Sequence, residues 1–163
     1  MSFTVDANMT ADIMSLIMTF IIMLNVRPRE NISSPDRRLY FYSAAACSIG
    51  IILDLIALAL KDVYMENVWQ WSFVTDTLYF IFTPAAAAMW LFFVDYKVYE
   101  DSSRIRKNAV LYSLPFLLNL ALCIVNTFKP VYFSMSADNV YSREKYIFIN
   151  FGIAYLYVIA ATA

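Results

Sequence analysis

Five apolar stretches, about 9–26, 39–60, 69–94, 109–128 and 146–163, alternate with short polar segments along the chain. Each approaches the roughly 20 residues that carry an α-helix across a hydrocarbon layer about 30 Å thick. The runs are apolar all the way round, so they lack the polar face that a helix of a water-soluble bundle keeps. The pattern predicts an all-α fold: a polytopic transmembrane helix bundle of five spans within residues 1–163, with no soluble domain.

Basic residues mark orientation, because cytoplasmic segments of membrane proteins retain Lys and Arg. The first ten residues hold none, whereas segment 27–38 holds Arg27, Arg29, Arg37 and Arg38. Segment 61–68 holds only Lys61, and segment 95–108 again holds four, Lys97, Arg104, Arg106 and Lys107. Before the last run, Lys129, Arg143 and Lys145 are spread more thinly. The expectation is an N-terminus outside and a C-terminus in the cytoplasm. Aromatic anchors agree: Tyr64, Trp69, Trp71, Phe128, Tyr132, Tyr141 and Tyr146 fall at the outer boundary, Tyr40, Tyr42, Trp90, Tyr96 and Tyr99 at the inner one. No basic segment precedes the first run and no small-residue cleavage site follows it, so that run is expected to stay as a span. The chain stops at Ala163 at the end of an apolar run, which reads as a fragment of a longer protein.

Composition narrows the chemistry. With 61% hydrophobic and 15% charged residues, against about 25% charged in an ordinary soluble domain, lipid is the expected partner. A net charge of -1 offers no basic face for nucleic acid. Histidine is absent from the chain, which removes the commonest metal ligand and the usual proton carrier. There is no Gly-rich phosphate loop and no Cys pair at metal-binding spacing. No catalytic constellation, metal or cofactor is therefore expected. Asp54 and Asp76 superficially match the aspartate pair of intramembrane proteases, but they read LDL and TDT, without flanking glycines.

Polar residues inside the runs are the candidates for function, since an ionisable group in hydrocarbon is costly unless it faces protein or water. Counted at 1.5 Å per residue, Asp54 in the second run and Asp76 in the third both lie roughly 10 Å below the outer surface. Asn119 and Asn150 come out at similar or shallower depth in the fourth and fifth runs. These four predict a polar cavity open to the outside, able to receive a small ligand or to hold a protonated carboxyl pair. The competing reading is that they tie helices together through hydrogen bonds. Pro84 should kink the third run, and the four alanines at 85–88 leave room for a neighbouring helix. Pro115 predicts a second kink, and Cys47 and Cys123 read as small apolar residues. Segment 131–144 reads as turns, and segment 95–108 as a solvated connector or short surface helix.

The runs WLFFVDYKVYEDSSRIRK (90–107), PFLLNL (115–120), VYFSMSADNVYSRE (131–144) and AYLYV (154–158) resemble the N-terminal membrane region of bacterial membrane-anchored diguanylate cyclases. Similar seven-span sensory regions precede histidine kinases. Asp54, the tripeptide Val94, Asp95 and Tyr96, Asn119, and the tripeptide Asn139, Val140 and Tyr141 match that family's pattern, whereas Asp76 stands where it has an asparagine. The resemblance implies a multi-pass sensor of the inner (cytoplasmic) membrane, followed in cis by two more spans and a cytoplasmic output domain of GGDEF type, which makes cyclic di-GMP. A small-molecule or membrane-borne signal would bias two helix arrangements, and a homodimer would pass the difference to the output. Any cyclase activity would belong to the parent protein, not to this chain. A transporter fragment and a membrane scaffold are the rival readings; the chain has no internal repeat and only two glycines for broken helices.

Overall fold

Every apolar run forms a helix, and most of the helices extend past their runs into flanking polar residues, because the backbone ladder continues wherever no residue interrupts it. The computed structural model describes residues 3–26, 35–61, 63 and 65–162, of which 83% are helical. In order these are α1 (Phe3–Val26), α2 (Pro35–Leu60), α3 (Val68–Tyr99) and α4 (Ser102–Phe128), then a hairpin of β1 (Phe133–Met135) and β2 (Tyr141–Arg143), and finally α5 (Ile147–Thr162). Four of the helices, α1 to α4, are long and apolar enough to cross a membrane. The apolar α5 has 16 residues, about 24 Å of helix. Arg27, Arg29, Tyr64 and Ala163, used above for orientation, anchoring and chain end, lie outside the described residues.

Helix α3 is the centre of the bundle and packs against α2, α4 and α5, while α1 packs on α2. Successive helices run antiparallel, so the end of α2, the start of α3, the end of α4 and the start of α5 meet under the hairpin. The outer surface carries large apolar side chains such as Ile13, Phe20, Ile56, Leu117 and Ile159, a surface suited to lipid. Trp71, Phe128 and Tyr146 are exposed at the hairpin end and Tyr42, Trp90 and Tyr99 at the other.

The segment 95–108 is not a solvated connector. Helix α3 continues to Tyr99 and α4 starts at Ser102, leaving only Glu100 and Asp101 between them. Glu100 takes a left-handed conformation (φ 52°) and its N–H closes on the Tyr96 carbonyl at 2.7 Å. Asp101 caps α4, accepting from the Ser103 hydroxyl at 3.0 Å and its N–H at 2.7 Å, and these bonds hold its carboxyl below the usual range. Asp95 is buried, pairs with Arg104 at 3.0 Å and accepts from the Tyr112 hydroxyl at 3.2 Å; Arg104 also lies over the Tyr99 ring. Hydropathy alone ends these helices early because it scores side chains, and it cannot see that Asp95 has a partner nine residues on.

Two prolines organise the interior. Pro84 has no N–H to give the carbonyl four residues back, Phe80, and that carbonyl is instead taken by two asparagines. Asn119 of α4 donates to it at 2.9 Å and Asn150 of α5 at 2.6 Å. Asn150 also donates to the Asn119 carbonyl oxygen at 2.8 Å, and the Tyr132 hydroxyl donates to the same oxygen at 2.9 Å. In α4, one residue past Pro115, the Tyr157 hydroxyl accepts from the Phe116 N–H at 2.9 Å and donates to the Tyr112 carbonyl at 2.7 Å. It replaces the direct bond those two groups make in an uninterrupted helix. Asn150, Ile153 and Tyr157 form one face of α5, and all three are buried. The alanine run accepts neighbours on two sides, with Ser43 of α2 on the Ala86 carbonyl at 3.4 Å and Ile153 and Tyr157 packing in the cluster of Ala88 and Leu91.

Replacing Asn119 or Asn150 singly by Ala should cost about 1 kcal/mol each, the scale of interhelical hydrogen bonds in membranes. The double substitution leaves the Phe80 carbonyl without either donor, so it should exceed the sum by about 1–3 kcal/mol. With Pro84→Ala present, the restored N–H takes that carbonyl and the excess should fall below about 0.5 kcal/mol. Reversible unfolding in mixed micelles measures all three.

Candidate functional site

The hairpin is folded back over the bundle by two asparagines. Asn126, in the last turn of α4, accepts at its side-chain oxygen from the N–H groups of Val131 (2.8 Å), Tyr132 (2.7 Å) and Phe133 (3.3 Å). The antiparallel strands pair Phe133 with Arg143 and Met135 with Tyr141. Asn139 closes the turn in the left-handed region (φ 59°), which asparagine tolerates better than most residues. Its side-chain amide donates at 2.8 Å to the Leu60 carbonyl, the last of α2, which also accepts from the Val63 N–H at 3.2 Å. Phe133 stacks between Phe80 and Tyr141, with ring centres 5.5 and 5.6 Å away.

Tyr132 is a correction to the sequence reading. Rather than anchoring at the lipid boundary it is 0% exposed, donating to Asn119, and burial pushes its hydroxyl well above the usual range. The amide it reaches is a stronger claim on its hydroxyl than headgroup water because the site is dry.

Beneath the hairpin lies a cavity of about 410 Å³. Its wall takes Asp54 from α2 and Lys61 just beyond, Ser72, Asp76 and Tyr79 from α3, Asn139, Tyr141 and Arg143 from the hairpin, and Phe151 from α5. The four residues singled out in the sequence thus divide. Asp54 and Asp76 are brought together in the wall, each partly buried. Asn119 and Asn150 are 0% exposed and outside that wall, joined to the Phe80 carbonyl. Phe80 follows Asp76 by four residues, so this tie lies about 6 Å farther along α3 than the carboxylates. The depths counted from the sequence put all four in one layer; the proline-freed carbonyl draws the amides deeper.

Other residues of the site escaped the sequence reading. Asp12 of α1 lies near Asp54 behind the wall, its Oδ2 buried without a hydrogen-bond partner, and only its place in an apolar run signalled it. Ser72 and Asn139 border the cavity, are 4% and 8% exposed, and Ser72 Oγ and Asn139 Oδ1 have no hydrogen-bond partner. Helical hydroxyls ordinarily bond back to their own backbone, as Ser48, Thr77 and Thr83 do here. Ser72 does not. Burial pushes the Tyr141 hydroxyl up to about 12, keeping it a neutral donor at physiological pH. The wall therefore offers carboxylates, cations, hydroxyls and an amide. Among the described residues no three His, Cys, Asp or Glu side chains group so as to hold a metal ion.

A membrane-impermeant thiol reagent should separate the two sets. In a Cys47→Ser background, Asp76→Cys should be labelled at least about tenfold faster than native Cys123, which is 2% exposed beside Asn119. Equal rates, followed by mass spectrometry of the intact chain, would contradict a water-accessible cavity. No family model matches the chain, and neither the curated proteins nor the solved structures give a match.

Proposed function

We propose that this chain is the membrane-embedded input region of a bacterial signalling protein, with the hairpin end outside, and that it controls a cytoplasmic output domain of GGDEF type encoded in the same protein. The observation that carries the reading is the sharing of residues between the cavity and the interior lock. Phe80 and Phe151 border the cavity, the Phe80 carbonyl is the acceptor of the lock, and Asn150 beside Phe151 is one of its donors. An occupant that shifts the hairpin or the start of α5 therefore acts directly on the contacts that set how α3, α4 and α5 sit together. A ligand changes such an equilibrium only through unequal affinity for its two arrangements, and a cavity whose roof is a separate hairpin supplies that inequality.

Two further features support the orientation and the setting. The apolar outer surface of α1 to α4 suits a bilayer. Arg37, Arg38, Lys97, Arg104, Arg106 and Lys107 gather at the end away from the hairpin, as basic residues do on cytoplasmic faces. Passing the difference inward through helices, to an output that works as a homodimer, is a rigid-body or helix-shift transition.

The test uses the complete reading frame that contains this chain, expressed in a bacterial host. Asp54→Asn with Asp76→Asn should change cellular cyclic di-GMP by about fivefold or more, the lower range of allosteric coupling, while lipid-facing Ile56→Leu leaves it unchanged. A reporter inserted after Glu100 should read as cytoplasmic. A frame without an output module, or an insertion reading as external, would sink the proposal.

A further inference from the structure

We propose that the cavity binds a small zwitterion, with its ammonium group against Asp54 and Asp76, its carboxylate or phosphate against Lys61 and Arg143, and Ser72 and Asn139 bonding to the groups between. This inference rests on the reading of the chain as a signal-input region and gives its signal a chemical class.

The charges of the wall are segregated. The two carboxylates come from within helices α2 and α3, whereas Lys61 follows the end of α2 and Arg143 lies on the hairpin. Along α2, Asp54 and Lys61 are separated by about 10 Å of axial rise. Among the described residues no ion pair joins either carboxylate to either base. A simple cation would leave the two bases without a counter-charge, and a simple anion would leave Asp54 and Asp76 uncompensated with Asp12 near Asp54. A molecule with both charges at opposite ends answers both, and the axial rise between Asp54 and Lys61 favours several bonds between those charges over the α-amino acid arrangement.

The second observation is independent of charge. Ser72 and Asn139 are lining residues, and their Oγ and Oδ1 are buried without partners, so a small turn of either side chain toward a polar occupant gains a hydrogen bond it otherwise lacks. The hydroxyl both donates and accepts while the amide oxygen accepts, so the pair suits a ligand carrying N–H or O–H groups along its length. The volume, about 410 Å³, is within the range of small-molecule sites, and Leu58, Ile147 and Phe151 supply an apolar side for methylene groups.

The same chemistry is carried by free solutes and by the ethanolamine headgroup of a phospholipid, and the experiment separates them. The full chain is placed in nanodiscs of phosphatidylcholine and phosphatidylglycerol, and its thermal unfolding is followed with β-alanine, γ-aminobutyrate, 6-aminohexanoate and phosphoethanolamine, with butylamine and butyrate as single-charge controls. At least one zwitterion should raise the midpoint saturably, and both controls should bind at least about tenfold more weakly. Asp76→Asn and Arg143→Gln should each weaken that binding at least about tenfold. Arg143 is exposed on the hairpin, so its variant decides the matter even if the Asp76 variant fails to fold. Competition by added phosphatidylethanolamine identifies the headgroup as the source, and its absence identifies a free solute. No midpoint shift with any of the four at about 10 mM, equal binding of butylamine, or binding that survives both variants overturns the proposal. Binding is read without any output domain: binding without a change in output overturns the receptor reading alone, and output control without zwitterion binding overturns this inference alone.

Discussion

The backbone carbonyl of Phe80 is the group on which the arrangement of this bundle depends. Pro84 withdraws its helical donor, and on a helix in water that loss is made good by solvent. Within an apolar layer the only remedy is a donor from a neighbouring helix. Asn119 and Asn150 both supply one, so α3, α4 and α5 are held in a single relative register. Near Pro115 the same logic recurs with a hydroxyl: Tyr157 enters the α4 ladder and serves both groups that the opened turn separates. The 16-residue α5 is thus seated by two polar insertions on one face, with Ile153 packed between them.

From that lock the hairpin end of the molecule follows. Tyr132 joins it through Asn119, which pins the start of the hairpin above α3 and α4, and Asn126 turns the chain to reach that position. Asn139 pins the far end of the hairpin to α2. The roof of the cavity is therefore attached unevenly, by the Tyr132–Asn119 bond, the three N–H groups on Asn126 and the packing of Phe133 on the α3–α4 side, but by one neutral hydrogen bond on the α2 side, worth about 0.6–1.7 kcal/mol in a membrane protein. Hydrogen bonds to charged groups contribute about 1.5–3 kcal/mol. Under the proposed function, an occupant would shift the roof only by making such bonds in one arrangement and not in the other.

How far the sequence discloses this depends on which atoms carry the information. The helices were legible because side-chain hydropathy and length report directly on them, although α3 and α4 reach to within two residues of each other where a longer connector was expected. Asp95 looked like a loop residue because its partners, Arg104 and Tyr112, meet it only once the turn has formed. Asn119 and Asn150 were visible as polar residues in apolar runs, but their acceptor is a backbone atom and leaves no residue letter of its own. The one trace of it was Pro84, four positions downstream. Strands of three residues are too short for a two-residue alternation to register, so segment 131–144 showed its turns and hid its pairing. Ser72 was not singled out at all, because its significance is the absence of the backbone bond that other helical hydroxyls make.

The separation of the amides from the carboxylates has a physical cause that extends beyond this pairing. A neutral amide costs less to bury than a charge, so it tolerates a dry interior once a carbonyl such as that of Phe80 accepts its N–H, even at Asn150, whose side-chain oxygen has no partner. A carboxylate cannot be satisfied so cheaply; it requires water, a cation or a shared proton. Asp54 and Asp76 accordingly border open volume near the hairpin, while Asn119 and Asn150 sit about one helical turn farther along α3 with no exposure. Exchanging the two kinds of residue would place charge in the lock and leave the cavity wall neutral. The order of polarity along these helices, ionisable toward the hairpin and neutral beneath, therefore follows from what each kind of side chain needs around it.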